Sequence, residues 1–348
     1  MITVTFHLRP EKEISYPILI GDKLVSQIAD LFPEIKTSDS VFILHDAAVG
    51  GVAKEIQSII PAAHLIDVAS GEKSKSFSQL ERILKTLSVL QANRQSLIIN
   101  VGGGMLTDLG GFVASVYMRG IGHMQVPTTL LGMVDAAIGG KTGIDLPQGK
   151  NAVGSFHHPK AILIDVNILD SLPQEQLREG LVEIIKIAAM SDRGLFEYLE
   201  QNIKQILGRE TPALVSCIEQ AVRLKVRLAE EDERDAGKRM FLNFGHTVGH
   251  AIEILTDFRI SHGKAVSIGM IAEMQSVESA AIDRVRSLLQ AIDMPTEMPT
   301  NLQMEDVLKC MRHDKKVLSG VVRITVPAAI GEPVLLPFQE PRFLQANR

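Results

Sequence analysis

Tryptophan is absent from the 348 residues, and three tyrosines and twelve phenylalanines are the whole aromatic complement. Stacking platforms for single-stranded nucleic acid or sugar rings are therefore scarce. The only cysteines, Cys217 and Cys310, make neither a disulfide framework nor a cysteine-rich metal motif. Positive charge is not in excess, since 36 Lys and Arg face 41 Asp and Glu for a formal net charge of −5. A strongly basic nucleic-acid surface is excluded. No apolar run reaches the ~18 residues of a membrane helix. The first residues, MITVTFHLRPEKEI, lack the basic-then-apolar plan of a secretory signal, which predicts a cytoplasmic protein bound to neither nucleic acid nor membrane.

What is present is an ordinary globular composition, 45% hydrophobic and 22% charged, in a chain long enough for about two domains. One residue type is unevenly spread: 13 of the 27 glycines fall between Gly102 and Gly154. Apolar runs at 40–46, 63–70, 96–104 and 160–169 alternate with amphipathic stretches such as 77–90, where Leu80, Ile83, Leu87 and Leu90 recur at helical spacing. This alternation predicts βαβ units, hence a Rossmann-like α/β half with a mainly parallel sheet. After Leu172-Pro173 the segments read as helices, with a short strand or two near 321–338. The expected division is an α/β domain over 1–172 and a mostly α-helical domain over 173–348.

The segment 98–115 reads as strand, Gly102-Gly103-Gly104 turn, then helix. Backbone amides beside glycines and a helix N-terminus make an anion cradle, although the run does not match GxGxxG and such turns are often purely structural. The polar turn Gly71-Glu72-Lys73-Ser74-Lys75 could hold ribose or phosphate, or be a solvated turn. His246 and His250 lie four apart on one helix face, with His262 following, and Glu183 and Lys186 interrupt an apolar helix. Two imidazoles and a carboxylate suit an open zinc site, and helix-face counting alone would give both His246 and His250 to the metal. Arg119, Lys141, Lys150, Lys186, Lys225 and Arg239 mostly sit beside glycine or within apolar segments, which suits a substrate with several negative charges.

These motifs in this order (70–75, 102–115, 117–120, 125–145, 149–159, 172–186, 232–253, 261–270 and 312–320) resemble the 3-dehydroquinate synthases of the sugar phosphate cyclase family, from about residue 40 to the end. The resemblance implies a divalent metal, zinc or cobalt, on Glu183, His246 and His262, with His250 in the site but off the metal. It implies NAD against Asp46, Ser70, Gly71, Glu72, Lys73, Ser74, Lys75, Gly104, Met105, Leu106, Thr107, Asp108, Thr128, Thr129, Lys141, Lys150, Ile168, Leu169, Asp170 and Ser171. Substrate contacts carried over are Asp135, Lys141, Asn151, Lys186, Lys225, Arg239, Asn243, His250 and one of Lys315 and Lys316. Arg119 would reach a neighbouring subunit's site, so a homodimer is expected.

The implied reaction turns 3-deoxy-D-arabino-heptulosonate 7-phosphate into 3-dehydroquinate and phosphate, step two of the shikimate route. It runs by NAD-dependent oxidation, β-elimination, reduction, ring opening and aldol closure. Departures from the commoner pattern are Ala136-Ala137, Lys264 and Ala48. The rival readings are a metal-dependent polyol dehydrogenase of the glycerol dehydrogenase type, another sugar phosphate cyclase, and a non-catalytic NAD-binding regulator.

Overall fold

The computed structural model describes residues 14–146, 149–232, 241, 243–312, 317–318 and 321–346. Eight strands come first: β1 (Ile18–Gly21), β2 (Val41–Asp46), β3 (His64–Val68), β4 (Leu97–Gly102), β5 (Gly122–Pro127), β6 (Lys141–Leu146), β7 (Gly149–Phe156) and β8 (Ala161–Asp165). Six of them form one sheet in the order β1-β8-β5-β4-β2-β3, every pair parallel. Helices cover both faces of the sheet, so all six residues of β4 are buried, and β5 carries His123 and Gln125 buried among its apolar residues. The crossovers include α1 (Gly50–Ile59), α2 (Phe77–Val89) and α3 (Gly104–Val116). In α2 the buried residues are Leu80, Ile83 and Leu87, the expected stripe. The remaining pair, β6 and β7, is an antiparallel hairpin packed on α3.

Chain order sets where a ligand fits. From β2 the chain steps outward to β3, then crosses back to β4 and continues the other way through β5. The connections after β2 and β4 thus leave in opposite directions, which opens a crevice at the carboxyl ends of these two strands. Asp46 ends β2, and Gly103-Gly104 follow β4.

Beyond the sheet the chain turns helical: α4 (Gln174–Ser191), α5 (Arg193–Leu207), α6 (Thr211–Glu231), α7 (His246–Leu255), α8 (His262–Val277), α9 (Ile282–Ala291), α10 (Met304–Arg312) and α11 (Glu340–Ala346). Three strands, β9 (Val317–Leu318), β10 (Val321–Ala329) and β11 (Glu332–Pro337), form a small antiparallel sheet, more strand than the sequence alone suggested. α4 lies in the middle, with 12 of its 18 residues buried, Glu183 and Lys186 among them. One hydrophobic cluster runs unbroken from one face of the parallel sheet through α4 to α8, and a second lies under α2 and α3. Among the described residues, no helix is long and apolar enough to cross a membrane.

His123 on β5 is 1% exposed. Burial, and then electrostatic repulsion from the neighbouring His157, His158 and Lys160, push its pKa down to about 3. The folded chain therefore keeps His123 neutral where an unfolded chain, with an ordinary value near 6.5, takes up a proton. The stability this ring contributes is complete above pH 6.5 and is lost as pH falls from there towards 3. Urea unfolding at pH 7 and pH 5 should show His123→Leu losing about 2 kcal/mol less than the parent chain on acidification.

Candidate active site

The helical half places three ligand-type groups together. Glu183 projects from the centre of α4, His246 opens α7 and His262 opens α8, with one donor atom of each within 4.8 Å of the others. The His246 and His262 Nε2 atoms lie 3.8 and 3.5 Å from Glu183 Oε1. Glu183 also contacts Lys186 Nζ, one turn further along α4. Burial opposes the charge on Glu183, but Lys186, His262 and His246 hold its carboxyl well below the usual carboxylate range. Both Glu183 oxygens are buried, yet neither meets an aligned hydrogen-bond donor among the described residues. An anionic carboxylate with open lone pairs facing two imidazole nitrogens fits a divalent cation.

Each imidazole is oriented from behind. His246 Nδ1 lies 3.0 Å from the Phe244 carbonyl, which only accepts, so the proton is on Nδ1 and the Nε2 lone pair faces Glu183. Burial and then the Lys186 charge hold His246 well below the ordinary histidine range, a neutral ring ready to ligate. His262 stands between two carboxylates, with Nδ1 3.4 Å from Glu253 Oε2. Burial lowers its pKa, but Glu183 and Glu253 outweigh burial and raise it to about 9. A divalent cation bound there takes the place of that proton.

α7 can begin at His246 because of two local features. Gly245 has φ +77, and a Cβ on it would sit 2.8 Å from the Val266 carbonyl oxygen. The fully buried Glu273 on α8 accepts from the amides of Gly245, Thr247 and Val248 at 2.9, 3.0 and 3.1 Å, straddling His246. A carboxylate at this helix end satisfies amides that have no partner within the helix.

Around the three ligands lie the groups expected to meet substrate. Lys225 on α6 pairs with Asp135, from the turn of helix Gly132–Ala136, and so ties the helical half to the chain following β5. Burial works against Asp135 as an anion, but Lys225 and Lys186 hold its carboxyl below the usual range. Asp135, Glu183 and Lys186 line a cavity of about 10 Å³, room for one water. The His250 ring stands edge-on to His246, centroids 5.4 Å apart, and 6.3 Å from His262, within the cluster but outside its three-ligand set. Asn243 is half-buried just before α7.

At the sheet end, Lys75 is buried and donates to Asp108 at 2.6 Å and to Asn151 on the β6–β7 hairpin. Burial opposes its charge, but Asp108, Glu72 and Asp145 outweigh burial and raise its pKa. Asn151 is held at φ +53, its amide bonded to Asp145 Oδ1 at 2.7 Å. Ser70 donates to Asp46, whose carboxylate also takes the Ala48 amide at 2.9 Å. Gly103 faces Thr129, where a Cβ would come within 2.9 Å of the Thr129 methyl. Asp46, the 70–75 turn, 104–108, Thr128-Thr129 and the turn Val166–Ser171 thus all follow carboxyl ends of parallel strands. Leu106, Thr107, Ile168 and Leu169 are buried.

The hairpin joins the two clusters. Lys150 on β7 lies 3.1 Å from Glu253 Oε1 and 4.7 Å above the Phe258 ring. Lys141, the first residue of β6, is half-buried. Arg119 is exposed on a turn at the far end of α3, with φ +68 and Met118 before it at +51. One α3 length, about 20 Å, separates it from the glycine turn. Arg239, Lys315 and Lys316 lie outside the described residues. The sequence reading missed Glu253 and Glu273 as supports of the histidines. Glu253 was detectable as the i+7 partner of His246 and i+3 partner of His250, whereas nothing local marks Glu273.

Removing the Glu273 carboxylate strands three buried amides, so Glu273→Ala should cost at least about 3 kcal/mol in urea unfolding. An unchanged midpoint would show the clamp to be idle.

The chain is similar to known proteins over most of its length. Residues 65–179 match the family described as 3-dehydroquinate synthase N-terminal, and residues 180–317 match 3-dehydroquinate synthase C-terminal. The 3-dehydroquinate synthase of Symbiobacterium thermophilum is 38% identical over 343 residues, covering 94% of this chain and 96% of that one. Among solved structures, 2-epi-5-epi-valiolone synthase (ValA) from Streptomyces hygroscopicus subsp. jinggangensis, with NAD+ and Zn2+ bound, superposes with a TM-score of 0.86. It covers 98% of both chains at 24% identity. Glycerol dehydrogenase from Schizosaccharomyces pombe gives a TM-score of 0.66 at 16% identity, covering 98% of this chain and 92% of that one. At such identities the two structures speak for the fold alone.

Proposed function

The chain belongs to the 3-dehydroquinate synthase family, and from that premise we infer how its cleft performs the family's reaction. The enzyme is a carbon–oxygen lyase that converts 3-deoxy-D-arabino-heptulosonate 7-phosphate to 3-dehydroquinate and phosphate, using NAD and a divalent metal. The observation that carries the assignment of roles is the buried Glu183–His246–His262 set beside Lys186 and the Asp135–Lys225 pair. We assign the metal to those three ligands. NAD is assigned to the crevice between β2 and β4, with its pyrophosphate at the glycine turn and the N-terminus of α3. When bound, the metal acidifies the substrate hydroxyl to be oxidised, and NAD accepts and returns a hydride.

The chain's own groups bind and orient. Lys186 is fixed by Glu183 at the cleft base, and Lys141 and Asn151 approach from the hairpin, so these three suit the departing phosphate. Lys225, oriented by Asp135, suits the carboxylate, and the family resemblance adds Arg239, Asn243 and one of Lys315 and Lys316 as further contacts. His250, against His246 but outside the three-ligand set, is placed to take up and give back protons at the substrate hydroxyls. We take residues 1–172 as the cofactor half and 173–348 as the metal and substrate half, because all six parallel strands precede that point. Arg119 lies too far along α3 for its own cleft, and exposed Val116, Met118 and Phe156 beside it offer apolar surface. Both features support a homodimer in which Arg119 serves the neighbouring site. We place the enzyme in the cytoplasm, where its small anionic substrate would be made.

Incubated with the heptulosonate phosphate, the enzyme should release phosphate with no net NADH, and lose activity on removal of NAD or addition of chelator. Steady NADH formation on a polyol would instead mark a dehydrogenase. His246→Ala should lose both metal and activity, and a metal-replete, active variant would overturn the ligand assignment.

A further inference from the structure

Glu253 has no part in the roles assigned so far, yet it is buried at 3% exposure and faces the cleft. On α7 it follows His246 by seven residues and His250 by three, so all three share one helix face. Its two oxygens go to different partners. Oε2 lies 3.4 Å from His262 Nδ1, and Oε1 lies 3.1 Å from Lys150 Nζ on the hairpin. The Lys150 ammonium also stands over the Phe258 ring, whose own amide bonds to the Glu253 carbonyl at 2.8 Å. Both anchors of Lys150 thus trace back to residue 253.

A carboxylate that accepts Nδ1–H from an imidazole fixes the tautomer and the ring plane, and leaves the Nε2 lone pair pointing away from it. For His262 that direction is Glu183, 3.5 Å from Nε2. His246 gets the same service from the Phe244 carbonyl, whereas His262 depends on Glu253. The second oxygen then holds the ammonium of a residue from the opposite half of the chain. An ammonium has three protons, so Lys150 can keep Glu253 and still donate to a phosphate oxygen.

We propose that Glu253 is a positioning residue that serves both cofactors with one carboxylate, orienting His262 for the metal and Lys150 for the dinucleotide. The inference rests on the proposed metal set and on Lys150 meeting NAD. Neighbours of the pair are His250 on the same face and Glu183 across the cleft. His250, Glu253 and His262 also lie close enough to offer a second three-ligand arrangement. In the positioning role, Glu253 supports the metal through His262 and does not ligate it.

The test is equilibrium binding, free of turnover. Zinc affinity of the apo-protein is measured against a chromophoric chelator, and NAD affinity by calorimetry on the metal-free chain. Glu253→Gln, which keeps shape but loses charge, should weaken zinc about 10-fold, and Glu253→Ala, which removes the acceptor, nearer 100-fold. Both should also weaken NAD several-fold, whereas Lys150→Met should weaken NAD and leave zinc within about threefold of the parent chain. Should the Ala variant fail to fold, the Gln variant carries the test alone. Zinc affinity unchanged in Glu253→Gln overturns the proposal, and zinc loss with NAD binding intact overturns the shared role. His262→Ala separates the two levels of inference: if it keeps zinc, the metal assignment itself fails and this proposal with it. If His262→Ala loses zinc while Glu253→Gln and Glu253→Ala keep it, only the role of Glu253 fails.

Discussion

A carboxylate and an ammonium one helical turn apart, Glu183 and Lys186, lie inside the apolar centre of α4, each 4% exposed. Ionised groups are tolerated in such surroundings only when other charges and dipoles replace water around them. The rest of the site follows from that need. His246 and His262 turn their Nε2 atoms towards Glu183, and Asp135 and Lys225 add a second opposed pair close by. Removing one member of such a network leaves its partner uncompensated, at a cost of about 3–5 kcal/mol. In the proposed roles, a substrate carrying phosphate and carboxylate would meet cations already held in place by acids. Its anions share those partners, and little side-chain entropy is left to lose on binding.

The crevice proposed for the dinucleotide lies at the parallel sheet, in a different half of the chain from those charges. Parallel strand order supplies the crevice, but parallel strands alone end some distance from the helical half. The antiparallel β6–β7 hairpin bridges the distance. Asn151 on it reaches Lys75 at the sheet end, and Lys150, one residue earlier, reaches Glu253 on α7. Adjacent strand residues point to opposite faces, so one short segment can touch both halves. The positive φ of Asn151 is the local strain that this placement requires, and the Asp145 contact to its amide holds it.

Much of the fold was legible because its signals are local. Continuous apolar runs gave β2, β3, β4 and β8, while β1 and β5 fell outside them, and the spacing of Leu80, Ile83 and Leu87 gave α2. The glycine concentration marked the turn after β4 and the hairpin, where a Cβ on Gly103 would meet the Thr129 side chain at 2.9 Å and one on Gly143 the Val153 carbonyl at 2.8 Å. Counting helix faces put His246 and His250 in one cleft, which is where they are, but pairs both with the metal. The structure groups His246 instead with His262 from α8, a partner set by the packing of α7 against α8, which no local pattern encodes. Glu273 escaped for the same reason: its amide partners lie 25 to 28 residues away. The third strand near the C-terminus was missed because its two residues, Val317 and Leu318, are too few for a periodicity.

The departures from the commoner family pattern fall where the structure absorbs them. Ala48 leaves its turn intact, because its amide bonds to Asp46 whatever side chain stands there. Ala136 packs against the glycine turn, 3.2 Å from where a Gly104 Cβ would stand, so a small side chain at 136 suits the close approach. Lys264, two residues from the proposed ligand His262, pairs with Glu175 on α4 at the surface. None of these changes touches the buried set around Glu183. The fold does not decide the chemistry either, since glycerol dehydrogenase shares it with a TM-score of 0.66. The deciding feature is the cost of burying Lys186 and Lys225, which a neutral polyol would give no chemical reason to bear and a phosphorylated sugar acid does.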